Sequence, residues 1–124
     1  MNTYFLGKEE TDGYLLDFLD RLQKAETMPT VWCPVTDSGE ALVEALVDLI
    51  KVSFPELLDK IEVLSIDVEN GTDRIIFHDT TPDLTIEGKS VLLLDGAIHS
   101  GRMMSRCADA ITQLKPKELT AIRW

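Results

Sequence analysis

A candidate phosphate-binding loop follows four consecutive apolar residues in the C-terminal half of the chain. Residues 91–94 predict a strand buried on both faces, and Asp95 stands where that strand ends. A polar loop then leads into a helical pattern, and its candidate ligand contacts are His99, Ser100, Gly101 and Arg102. The first turn of a helix presents unpaired N–H groups, and its dipole favours negative charge. The order of strand, loop and helix therefore predicts a phosphate site with Asp95 beside it.

A second loop of the same kind occurs earlier. Residues 31–35 form a short apolar run, and Pro34 within it suggests the carboxyl end of a strand. Residues 36–39 then have turn chemistry, with Asp37, Ser38 and Gly39 as candidate ligand contacts. A helical pattern runs from Glu40 to about Ser53. The two loops would lie close together if both strands belong to one parallel sheet.

The remaining elements fit that arrangement. An amphipathic helix is predicted to begin near Thr11 or Asp12 and to end before Pro29. Residues 61–68 and 74–78 predict strands around an Asn70-Gly71 turn, residues 79–89 a polar connection, and residues 119–123 a last strand. Alternating strands and helices predict one α/β domain over residues 1–124, with a mainly parallel sheet flanked by helices. Ligands of such sheets bind outside the carboxyl ends of the strands.

Composition and charge exclude several classes of function. The net charge of −10 argues against a nucleic-acid partner, since phosphate neutralisation needs clustered Lys and Arg. No apolar run approaches the roughly 20 residues that cross a bilayer, and the N-terminus lacks a signal-peptide pattern, so we expect a cytoplasmic protein without a membrane partner. Cys33 and Cys107 lack metal-ligand spacing and predict buried thiols. His78 reads as an exposed residue at a strand end.

Two other nucleotide-related motifs fit the sequence less well. Gly88-Lys89-Ser90 resembles the end of a Walker loop, but the position that needs a glycine is Asp83, and a strand follows where a helix is required. A receiver-type or flavodoxin-like domain could use Asp95 at a strand end. No convincing acid pair near the first strand accompanies it.

The stretch VLLLDGAIHSGRMM resembles the nucleotide-phosphate motif of type I phosphoribosyltransferases. That motif has an apolar strand, two acids, a few residues, Thr-Gly, any residue and Thr; Asp95 matches the first acid and Ser100-Gly101 matches Thr-Gly. The order of motifs along the chain also agrees with the family. The stretch VWCPVTDSGEALVEAL resembles the earlier strand–loop–helix unit, whose loop touches pyrophosphate in the family. The stretch IEGKSVLLLD is similar to the run into the motif strand in hypoxanthine-type members. Residues 68–72 lie where the family has its flexible catalytic loop. The resemblance covers residues 31–124 and implies a compact form without the family's C-terminal additions.

The resemblance implies a function in nucleotide metabolism, of the purine-salvage type. Asp95 would hold the ribose of phosphoribosyl pyrophosphate, the loop at Ser100-Gly101 its 5′-phosphate, and a magnesium ion would accompany the pyrophosphate near Asp37. The activity implied is transfer of phosphoribosyl to a nitrogenous base.

The sequence also departs from the family pattern, and this leaves two hypotheses. Gly96 replaces the second acid, Met103 replaces a threonine, Asp37 stands where pyrophosphate should bind, and residues 68–72 lack an aromatic or basic residue. One hypothesis is a transferase that binds a phosphorylated small molecule. The alternative is a non-catalytic nucleotide or phosphosugar sensor, or an interaction module, of the same fold. Trp124 could serve a homo-oligomer contact.

Overall fold

The computed structural model describes most of the chain, namely residues 2–5, 11–24, 28–69, 74–78, 81–95 and 101–123. Seven strands are present in this part: β1 Asn2–Phe5, β2 Val31–Pro34, β3 Glu62–Val63, β4 Ile66–Val68, β5 Ile75–Phe77, β6 Ser90–Asp95 and β7 Glu118–Arg123. The helices are α1 Thr11–Lys24, α2 Thr36–Ser53, α3 Pro82–Ile86 and α4 Gly101–Thr112, with a 3-10 helix at Pro55–Lys60. None of the described helices is long and apolar enough to span a membrane.

Five strands form a parallel sheet in the order β1-β7-β6-β2-β3. The central strands β6 and β2 are paired so that Val31 lies opposite Val91 and Pro34 lies opposite Leu94. All six residues of β6 are buried, because helices cover both faces of the sheet at this position. The prediction of an α/β domain with a mainly parallel sheet is therefore confirmed.

The two faces of the sheet have separate apolar cores. Trp32, Leu92 and Leu94 point to one face and pack with α1 and α2. Cys33, Val91 and Leu93 point to the other face and pack with α4. Alternate residues of each strand supply the two cores, as the pleat requires.

The chain winds in opposite directions from the two central strands. From β2 it crosses to β3 through α2 on one face, and from β6 it crosses to β7 through α4 on the opposite face. Right-handed crossovers produce this arrangement when the strand order reverses between β2 and β6. The carboxyl ends of β2 and β6 therefore form the topological switch point at which such sheets bind ligands.

Several local predictions need correction. Residues 61–68 do not form one strand: β3 ends at Val63, and β4 begins at Ile66 after a break. Two elements were missed, namely β1, which among the described residues pairs with β7 near the other end of the chain, and α3 within the polar connection. Strands β4 and β5 pair antiparallel, and the Asn70-Gly71 turn predicted between them lies outside the described residues.

Candidate functional site

The first turn of α2 packs closely against the carboxyl end of β6. The N–H of Val35 donates to the carbonyl oxygen of Leu94 at 2.8 Å. A Cβ atom placed on Gly39 would lie 2.5 Å from that same Leu94 oxygen and 3.1 Å from the carbonyl carbon of Pro34. Only glycine allows this approach, because the atoms it meets are backbone and cannot move aside. The packing brings the start of α2 to Leu94, the residue immediately before Asp95.

Thr36 joins β2 to α2 in a strained backbone conformation. Its φ is +56°, in the left-handed region that β-branched residues rarely adopt. Such strain persists only where surrounding contacts enforce it, and it is concentrated at functional sites. A hydrogen bond of 3.3 Å between the Thr36 and Ser38 hydroxyls lies within the same turn. The sequence places Thr36 in a candidate loop but does not predict its strain, because a threonine gives no signal of its backbone angle.

The predicted turn at residues 36–39 is wrong, since α2 begins at Thr36 and includes Asp37, Ser38 and Gly39. Asp and Ser are favoured both in turns and near a helix start, so their presence could not separate the two. Val35 is the N-cap and provides no side-chain hydrogen bond to the first-turn N–H groups. The exposed Asp37 carboxylate instead lies near the positive end of the helix dipole.

Asp95 is the last residue of β6, and its side chain is fully buried. It follows Val91 and Leu93 on the face of the sheet that packs with α4. Asp95 affects the thiol of Cys107 in α4. Burial of this thiol, and then the charge of Asp95, raise the pKa of Cys107 to about 12. Asp95 therefore lies at the predicted edge, and a ligand can reach its carboxylate only when the side chain becomes accessible.

The structure places α4 at the same edge, with Gly101 and Arg102 as its first two residues. Gly101, which was predicted as a loop residue, is thus the first residue of the helix. His99 and Ser100 lie outside the described residues, so their roles stay predictions. Both candidate segments, the start of α2 and the start of α4, follow the two central strands.

Basic residues are divided between the two edges of the sheet. The described lysines end helices or precede strands, which places them at the amino edge: Lys24, Lys51, Lys60, Lys89, Lys115 and Lys117. Two of the described arginines stand at the carboxyl edge by chain position, because Arg102 is the second residue of α4 and Arg123 is the last residue of β7. Arginine is the side chain best suited to bind phosphate through paired hydrogen bonds.

The Asp67–His78 pair was also missed. A hydrogen bond joins Oδ2 of Asp67, in β4, to Nε2 of His78, the residue just beyond β5. Each side chain is about half exposed. The Asn70-Gly71 turn signal implies antiparallel pairing of the flanking residues, and that pairing could have brought the two together.

The resemblance implies a magnesium ion, which would need oxygen ligands from the side chains of this site. Among the residues described, no group of three or more His, Cys, Asp or Glu side chains could hold a metal. Magnesium commonly binds through one or two carboxylates together with substrate phosphates. The exposed Asp37 fits that shared form of binding, and the described side chains do not fit a resident metal ion.

Neither a protein-family model nor a curated protein sequence matches the chain. Solved structures do share its fold. A purine phosphoribosyltransferase from Pyrococcus horikoshii Ot3 is similar with a TM-score of 0.62 and 19% identity, over 98% of this chain and 77% of that one. A hypoxanthine phosphoribosyltransferase from Staphylococcus aureus is similar with a TM-score of 0.68 and 15% identity, over 95% of this chain and 64% of that one.

The topology defines a doubly wound α/β protein whose switch point lies between β2 and β6. Its fold is that of the purine and hypoxanthine phosphoribosyltransferases, and the predicted resemblance is confirmed at the level of fold. The chain spans less than two thirds of the length of the hypoxanthine enzyme.

Proposed function

We propose that this protein binds a phosphoribosyl or nucleotide phosphate at the carboxyl edge of the sheet, between β2 and β6. One observation supports the proposal most strongly. The strained Thr36 turn and the glycine contact at Gly39 hold the start of α2 against the end of β6. The switch point thus combines a helix N-terminus with the Asp95 strand end, which are the two parts that recognition of a sugar phosphate requires.

Each part has a distinct role in this proposal. The N–H groups of Asp37 and Ser38 bind phosphate oxygens, and Gly101 and Arg102 at the start of α4 bind a second phosphate group. Asp95 accepts hydrogen bonds from ribose hydroxyls once it is accessible. A magnesium ion bound with pyrophosphate would use Asp37 as its protein ligand and would neutralise phosphate charge in this acidic protein.

Phosphoribosyl transfer is the reaction that such a site would support. A ring nitrogen of a base attacks the anomeric carbon of phosphoribosyl pyrophosphate, the carbon–oxygen bond breaks, and pyrophosphate leaves with the bonding electrons. The protein would contribute positioning and fixed dipoles.

A non-catalytic sensor is the second candidate, and Gly96 favours it. With Gly96 in place of the second acid, the ribose contact depends on Asp95 alone. Loss of one charge-assisted hydrogen-bonding group weakens binding by about 1.5–3 kcal/mol. Binding could therefore persist where catalysis does not.

The test measures the melting temperature of the wild type and of Asp95→Asn with phosphoribosyl pyrophosphate, with and without magnesium. A ligand at 100 times its Kd adds about 2.7 kcal/mol to the free energy of unfolding. A melting-temperature increase in the wild type that is lost in Asp95→Asn supports the proposed site. No increase in either protein contradicts it.

A second assay distinguishes the two candidates. Pyrophosphate release is measured when purine bases are added to the wild type with phosphoribosyl pyrophosphate and magnesium. Release supports the transferase, whereas binding without release supports the sensor.

A further inference from the structure

We draw no further inference here: the strongest candidate, the pair of buried thiols that Cys33 of β2 and Cys107 of α4 place in one apolar core, rests on the raised pKa values of these two groups alone.

Discussion

At the amino edge of the sheet, the strands begin from short connections that carry lysines. Lys89 precedes β6 and forms a 3.7 Å ion pair with Glu62 of β3, in which both side chains are substantially exposed. At the carboxyl edge, Asp95 is fully buried, and the start of α2 is packed against the backbone of β6. The amino edge has the solvated charges of an ordinary surface, whereas the carboxyl edge has a buried carboxyl group and tight backbone contacts.

Residues with a left-handed backbone conformation also differ between the amino and carboxyl edges of the sheet. Among the described residues, two non-glycine residues have positive φ: Thr36 at the carboxyl edge, with φ of +56°, and Lys115 at the amino edge, with φ of +59°. Lys115 lies in the exposed turn that follows α4, where this conformation is common. Thr36 is β-branched and stands where β2 passes into α2. Its positive φ is therefore more unusual than that of Lys115, and this strain is an indication of function.

Gly39→Ala should cause the largest loss of stability, because its Cβ would meet the Leu94 and Pro34 backbone. We expect the free energy of unfolding to fall by about 3 kcal/mol, measured by urea denaturation. Gly88→Ala is the control at the amino edge. A Cβ at Gly88 meets nothing within 4 Å, although φ is +71°, so the strain alone should cost about 1 kcal/mol. Equal losses of unfolding free energy in Gly39→Ala and Gly88→Ala would contradict the tighter packing of the carboxyl edge.

The cysteines should make stability depend on alkaline pH. Burial first, and then the charge of Cys107 at Cys33 and of Asp95 at Cys107, raise the pKa of both thiols from 9.0 to about 12. The unfolded thiols lose protons above pH 9 while the folded ones keep them, so stability is constant below pH 9 and falls between pH 9 and 12.

We expect a loss of about 3 kcal/mol by pH 10, absent from the Cys33→Ala/Cys107→Ala double variant. Urea denaturation at pH 8 and pH 10 measures the difference between the two proteins. Equal pH dependence in both would contradict burial of the thiols. At pH 8 both thiols should also be unreactive toward alkylating reagents until the protein unfolds.

Replacing the left-handed residues by glycine should have the smallest effect on stability. We expect Thr36→Gly to raise the free energy of unfolding by about 1 kcal/mol and Lys115→Gly by about 0.5 kcal/mol, since relief of strain exceeds the entropy cost of glycine. Only Thr36→Gly should weaken binding of phosphoribosyl pyrophosphate. If Thr36→Gly binds as tightly as the wild type, the strain has no role in the ligand site.

The sequence predicts the central elements because their signals are local and consistent. Four apolar residues before Asp95 predicted β6, and the helical spacing of Met104, Cys107 and Ile111 predicted the buried face of α4. Strand β1 could not be predicted in this way, because the partner of Asn2–Phe5 is Glu118–Arg123, more than 100 positions away along the chain.

The candidate site was predictable in position but not in conformation. The switch point follows from strand order, and it correctly places Asp37 and Asp95 at one edge. The turn predicted at Asp37 is instead the first turn of a helix, and neither the strain at Thr36 nor the burial of Asp95 follows from residue types. Both depend on contacts between elements that are distant in sequence.

The most direct test of the central claim compares the two edges in one experiment. Two-dimensional ¹H–¹⁵N spectra of the wild type are recorded while phosphoribosyl pyrophosphate and magnesium are added. The account predicts that the backbone amides of Asp37, Ser38 and Gly39 shift, while those of Gly88 and Lys117 at the amino edge stay unchanged. Shifts confined to the amino edge, or unchanged amides at residues 37–39, would contradict a ligand site between β2 and β6.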